Sequence, residues 1–255
     1  MADPLHVLLA TDSAEPSGLG QHMLTLGRGL ARTHRITLAF PEAAAEFAGR
    51  ASAAGLEAVT FTDESALLDA VRPGLLHVHA GIGWEGHALS AAGAAAGVTI
   101  VRTEHLPWLI TDGAQEAEYA AAAAAVDAFV AVSDAAAATW APARARLRVA
   151  PRLAVIRNGV EPPPARRSRA ETRAALGIAE DASLVLCVGR FTPQKDQRTL
   201  VRAVRALHAC GLGPHLLLVG EDVEADAVPS AAPARQRRRA ATPSPSWAGV
   251  TMSAI

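Results

Sequence analysis

Lysine is almost absent from this chain of 255 residues: of its 24 basic side chains, 23 are arginine and only Lys195 is not. Cysteine is nearly absent as well. Cys187 and Cys210 fall in a predicted strand and a predicted helix without paired spacing, which argues against a disulfide framework or a structural zinc site. Aromatic residues make up 4% of the chain, so the core has to come from Leu, Val, Ile and Ala, within a hydrophobic content of 50%. The formal net charge is −1, with neither the basic excess of a nucleic-acid binder nor an acidic tail, and no nucleic-acid partner is expected. Apolar runs long enough to span a bilayer are missing, the alanine stretch at 120–125 included. Met1-Ala2-Asp3-Pro4 lacks a basic n-region, and Leu5 to Ala10 is too short for a signal core, so a cytoplasmic location is expected.

What is present is a regular alternation of short apolar runs and helical patterns. Leu5–Thr11 reads as a buried parallel strand, followed by Gly18-Leu19-Gly20 and a helix to about Ala31. Strands are predicted at Ile36–Phe40, Leu56–Phe61, Leu75–His79, Val98–Thr103 and Asp127–Val132, with helices between them at 42–54, 64–71, from Gly81-Ile82-Gly83-Trp84 to Ala96, and 114–125. Ser133 is placed as the N-cap of a further short helix, before Val155-Ile156 runs into Asn158-Gly159-Val160. Such alternation implies a mostly parallel sheet with helices on both faces, an α/β Rossmann-like domain over 1–160. Pro162-Pro163-Pro164 and Arg166-Arg167 form a stiff linker into a second, shorter α/β segment within 161–222, with a helix at 170–176, strands at 184–188 and 215–219, and a helix at about 195–210.

Beyond this the pattern stops. Residues 223–255 are rich in Ala, Pro, Ser and Arg, have no acidic residue after Asp226, and show neither helical nor strand periodicity. Such a segment does not bury enough apolar surface to offset the cost of ordering it, so a disordered tail is expected; its composition is also that of GC-rich DNA read in a wrong frame.

The lone lysine sits in Val188-Gly189-Arg190-Phe191-Thr192-Pro193-Gln194-Lys195-Asp196, after the apolar run Leu184 to Val188 and at a helix-like stretch that starts around Pro193. Strand, basic loop and helix start make an anion cradle, since free N–H groups and the helix dipole point at one spot. A compact ammonium acts there as a mobile point charge, unlike a guanidinium fork.

Several segments agree in order and spacing: Ser17-Gly18-Leu19-Gly20, Thr103-Glu104-His105, Val132-Ser133-Asp134, Val155-Ile156-Arg157-Asn158-Gly159-Val160-Glu161, Cys187 to Asp196, and Leu216-Leu217-Leu218-Val219-Gly220-Glu221. Together they resemble the GT-B-type glycosyltransferases of retaining family 4, whose usual forms are V-I-P-N-G-V-D and V-G-R-L-x-P-Q-K-G. Arg157 stands where a proline is usual and Asp196 where a glycine is common.

The resemblance implies a nucleotide-sugar donor held between two Rossmann-like domains, with the acceptor (glycan, lipid or small molecule) mainly on the first. It implies transfer with retention and without a metal or other cofactor. Gly18, Gly20, Arg190 and Lys195 match the positions that hold the donor diphosphate, and His105 matches a catalytic position near the transferred sugar. Ser133, Asn158, Gly159 and Gly189 match other cleft positions. Peripheral membrane association follows if the acceptor is a lipid. The resemblance ends near Glu221, and the E-x7-E pair that the family carries further on has no counterpart here. The expectation is therefore a donor-binding domain cut short, with activity in doubt; a non-catalytic fragment that binds acceptor or partner, and a UDP-sugar epimerase of similar fold, are the alternatives.

Other residues say less. His77 and His79 are expected to point to opposite faces of their strand, and so not to share a metal; His22, just inside the first helix, is within reach of the cleft, but a solvated helix face is the expectation. Trp84 and Trp108, after strand ends, suit either an acceptor groove or packing under loops. A dinucleotide fingerprint wants a third glycine where Met23 stands, and no G-x-S-x-G elbow of a serine hydrolase occurs.

Overall fold

The computed structural model describes residues 4–148, 152–160, 162, 164–220 and 250–253. It divides into two compact units, Met1–Pro162 and Pro163–Ile255. Glu161 and Glu221, each in one of the motifs, and residues 223–249 and 254–255 of the expected tail lie outside the described residues.

In the first unit the strands are β1 (His6–Ala10), β2 (Arg35–Pro41), β3 (Glu57–Phe61), β4 (Leu75–Ala80), β5 (Thr99–Glu104), β6 (Ala128–Ala131) and β7 (Arg152–Val155). The helices are α1 (Ser17–Leu30), α2 (Ala45–Ala53), α3 (Glu64–Val71), α4 (His87–Ala95), α5 (Gly113–Ala123) and α6 (Asp134–Arg146). All seven strands pair in parallel, in the order β3-β2-β1-β4-β5-β6-β7. Sequence order reverses beside β1, whose neighbours are β2 and β4, so the loops after β1 and β4 part there and leave the crevice where such sheets hold ligands.

The period of two along each strand splits the core. On one face Leu8, Leu76, Val78, Ile100 and Phe129 meet Leu67 and Leu68 of α3, Leu89 of α4, Tyr119 of α5 and Trp140 of α6. On the other, Val7, Leu9, Ile36, Leu38 and Phe40 meet Leu19, Met23 and Leu24 of α1 and Ala48 and Ala51 of α2. Alanine-rich helices suffice because short side chains let them lie close to the strands, with Tyr119, Phe129 and Trp140 supplying bulk.

The expected alternation is present throughout, and the strands predicted at 184–188 and 215–219 fall at those residues. Two boundaries differ. The helix after Ser133 is not short: it runs 13 residues through Pro142 and ends against β7, which the reading of Val155-Ile156 had only touched. Gly18 and Gly20 lie in the first turn of α1 rather than in a loop.

The second unit holds α7 (Arg169–Leu176), β8 (Leu184–Val188), α8 (Gln197–Ala209), β9 (His215–Val219) and β10 (Val250–Ser253). Ser168 and Glu171 form a reciprocal capping box on α7, and Gly177 closes it in the left-handed conformation. The sheet is parallel, in the order β10-β9-β8. β10 is a departure from the unstructured tail expected over 223–255: its backbone completes the free edge of β9, where unpaired N–H and C=O groups would otherwise stand. Phe191, Val204, Leu216 and Leu218 make a small core between sheet and α8.

Candidate active site

The site is built at the C-terminal ends of β1, β4 and β5. Two carboxylates organise the loops. Asp12, just after β1, accepts from the Gly86 N–H at 2.9 and 2.7 Å, tying the β1 loop to the start of α4. Glu85 accepts from the N–H groups of Gly81 (2.6 Å) and Ile82 (3.2 Å), curling the β4 loop upon itself. Gly86 adopts the left-handed conformation (φ 75°), and a Cβ there would stand 2.6 Å from Val78 Cγ1, so only glycine fits. Burial raises the pKa of Asp12, more than its hydrogen bond to Gly86 lowers it.

β5 brings two different environments to its two faces. Toward α5, Arg102 Nε donates to Glu104 Oε1 at 2.7 Å, both side chains being almost wholly buried, and the Tyr119 hydroxyl donates to the same oxygen at 3.4 Å. Burial pushes the Glu104 carboxyl up, opposed by the Arg102 charge, and raises the Tyr119 phenol well above its usual range. Toward α1, Thr103 and His105 face β4. The His105 N–H donates to the Ala80 carbonyl at 3.0 Å, prolonging the β4–β5 ladder by one residue. His105 is thus held between a buried ion pair behind it and the crevice in front.

Four histidines meet on that second face. The rings of His77 and His79 stack, with centroids 4.2 Å apart. This overturns the expectation of opposite faces: a strand repeats every two residues, so positions i and i+2 share a face. His77 Nε2 lies 2.7 Å from Thr103 Oγ1, and His79 Nδ1 lies 3.1 Å from His105 Nε2. His22 is not on a solvated face either; from α1 its ring meets His105 edge-on at 4.8 Å and His79 at 5.5 Å. Burial and the neighbouring imidazoles depress the whole set: His77 falls from 6.5 to about 4, His105 to about 3, and His79 lies well below 6.5. All are neutral at physiological pH.

The other expected residues are distributed as follows. Gly18 is exposed, with nothing within 4 Å of the Cβ it lacks. Gly20 is a packing position: a Cβ would lie 2.5 Å from the Phe47 ring. Pro16 leaves α1 without a side-chain cap, so its first N–H groups carry the helix's positive end. Ser133 Oγ caps α6, accepting from the Ala136 N–H at 3.1 Å. Asn158 and Gly159 are exposed after β7, in a segment tethered by Arg157, whose guanidinium donates to Asp134 at 3.0 and 2.6 Å. Trp108 packs edge-on against Tyr119 and Trp140, while Trp84 is 45% exposed.

In the second unit the turn from β8 to α8 carries Gly189, Arg190 and Lys195. Helix α8 begins at Gln197, with Asp196 as its cap accepting from the Thr199 N–H, so the stretch from Pro193 is a turn rather than helix. Buried Gln197 reaches back and donates to the Arg190 carbonyl at 2.8 Å, fixing the turn. Lys195 is exposed, and its stem lies 3.7–3.8 Å from where a Gly189 Cβ would stand, folded over the strand end.

The histidine cluster was the feature sequence reasoning missed. His77 and His79 at i and i+2 were the available signal; the approach of His22 and His105 depends on how α1 packs across β4.

Comparison with solved structures finds the same fold at low identity. Anabaena Alr3699/HepE, solved with UDP and with UDP-glucose, is 17% identical in its UDP complex, with a TM-score of 0.68 over 87% of this chain and 62% of that one. A glycosyltransferase from Rickettsia africae ESF-5 gives 13% identity and a TM-score of 0.63, over 87% and 62%. A protein titled putative UDP-N-acetylglucosamine 2-epimerase, from Listeria monocytogenes, gives 11% and 0.55, over 84% and 62%. This chain therefore spans 62% of the length of each. A comparison with curated protein sequences finds no match. Among the described residues no helix is long and apolar enough to cross a membrane. The family described as Glycosyltransferase Family 4 matches residues 16–162, more than half of the chain, and the protein belongs to that family, with a GT-B-type α/β fold.

Proposed function

We propose that this protein takes part in transfer of a sugar from a uridine diphosphate donor to a hydroxyl acceptor, with retention at the anomeric carbon. The observation that carries the reading is His105: a neutral imidazole at the C-terminal end of β5, beside the crevice at the sheet's reversal point, with Nε2 engaged by His79. A neutral ring of fixed orientation hydrogen-bonds sugar hydroxyls without repelling positive charge that develops on the sugar ring in the transition state. His79 acts as a positioning residue, since its Nδ1 sets the tautomer of His105.

The α1 amino end at Gly18, in the first unit, suits an anion, and the turn bearing Gly189, Arg190 and Lys195, in the second unit, suits the donor diphosphate. The first offers N–H groups, the second cations, and departure of a nucleoside diphosphate concentrates negative charge on those oxygens. Gly20 supports this end of α1 through Phe47 rather than touching the donor. Asn158 and Gly159 offer exposed backbone and amide groups to the donor or acceptor, whereas Ser133 serves chiefly as a cap. The carbonyl-side loops of β4 and β5 present exposed Trp84 and Leu109 to an acceptor. UDP complexes of HepE support the choice of nucleotide. No metal or other cofactor is invoked for the transfer step.

Titration calorimetry of the full chain with UDP, UDP-glucose and UDP-N-acetylglucosamine tests the reading. Saturable binding that weakens in Lys195→Ala is expected; no heat with any of the three at millimolar nucleotide overturns it. The epimerase alternative draws on the Listeria likeness. Interconversion of UDP-N-acetylglucosamine without acceptor would favour it, and its absence alongside binding favours transfer.

A further inference from the structure

The histidine cluster holds more than the sugar site needs. One nitrogen from each of His22, His79 and His105 lies within 4.8 Å of the other two. His79 is fully buried; its Nδ1 faces His105 Nε2 at 3.1 Å, and its Nε2 has no hydrogen-bond partner. His77, stacked on His79 and bonded to Thr103, fixes the plane of the ring it covers. We propose that His22, His79 and His105 bind one divalent cation of the zinc, cobalt or nickel class through their imidazole nitrogens.

The chemistry of the donor set selects that class. Three neutral nitrogens suit borderline metals, whereas magnesium and calcium require oxygen ligands. Bonds of about 2.0–2.1 Å in a tetrahedral site separate donor atoms by about 3.3–3.4 Å. The pair His79 Nδ1 and His105 Nε2, at 3.1 Å, is already close to that spacing. The widest separation, 4.8 Å, has to close by about 1.4 Å, within reach of a ring turn by half-exposed His22 on α1. Imidazole binds such an ion in its neutral form. Three protein donors leave one coordination position open. The ion takes no part in the transfer: it occupies His105 and so competes with the sugar for the same ring.

The test uses the full chain, freed of metal with a chelator and dialysed. Titration with cobalt(II) is expected to give one equivalent of tetrahedral d–d absorption without a thiolate charge-transfer band, and zinc(II) is expected to displace the cobalt. His22→Ala should weaken uptake by ~100-fold or more, while His34→Ala, whose ring bonds Thr33, leaves it unchanged. His22→Asn is a second variant should the alanine form lose its circular dichroism. Failure of the chain to take up cobalt or zinc at micromolar concentration overturns the proposal. So does uptake indifferent to both His22 variants, or uptake with a thiolate band from Cys187 or Cys210. None of these readouts depends on nucleotide binding, so the metal site and the transferase reading stand or fall separately.

Discussion

Acidification to pH 5 should strongly destabilise the first unit, and the histidine cluster supplies the magnitude. His77 has a folded pKa of about 4 against 6.5 for the free group, and His105 one of about 3. Each is a base whose folded pKa is depressed, so its contribution is fully present above pH 6.5 and is lost as the pH falls toward the folded value. Between pH 8 and pH 5 a group with those two constants costs about 2 kcal/mol. His105 costs a similar amount, so the two together remove about 4 kcal/mol, and the more deeply buried His79 adds to the loss in the same direction. That is a large share of the stability of a typical domain, which lies at about 5–15 kcal/mol. Asp12 and Glu104 run the other way, because burial raises their pKa and their folded forms gain protons more readily, recovering part of the loss. Urea unfolding followed by tryptophan fluorescence suits the measurement, since Trp140 is buried in this unit and Trp108 packs against it. His77→Gln, which cannot titrate, should shrink the difference between pH 8 and pH 5 by about 2 kcal/mol. Unfolding free energies that agree within about 1 kcal/mol at the two pH values would refute the reasoning.

Gly86→Ala forces a Cβ to 2.6 Å from Val78 Cγ1 at a positive φ and should destabilise the first unit by about 2–3 kcal/mol, read from the urea midpoint. Arg102→Met leaves Glu104 buried and unpaired and should cost about 3–5 kcal/mol; adding Glu104→Leu should restore part of that, and a strictly additive double variant would count against a coupled pair. Lys195→Ala should weaken UDP binding by ~10-fold or more, and Lys195→Arg should not fully restore it, because a planar fork replaces a point charge; calorimetry decides. Zinc at micromolar concentration should inhibit sugar transfer by the wild-type chain and not by His22→Ala, with chelator reversing the effect.

Much of the fold could be read from the chain because its strands are buried on both faces and its helices on one, so each leaves a distinct apolar period. The strand at 75–79 is an example: it lies within β4 (Leu75–Ala80). Strand order could not be read this way, since nothing local to β1 says that β2 and β4 flank it. The turn residues Gly189, Arg190 and Lys195 stood out because they lie together in sequence between a strand and a helix. That Gly20 packs against the Phe47 ring could not be read from the chain, because it depends on where α2 brings that ring.

The amino-acid sequence by itself settled the α/β class, the family motifs and the isolated lysine, all carried by neighbours along the chain. Tertiary structure alone decided that His22, His79 and His105, drawn from α1, β4 and the end of β5, share one face with His77. It also decided that Arg102 and Glu104 are sealed beneath them. The physical reason is that burial and proximity set the charge on these groups, and both arise only when helices pack across a completed sheet.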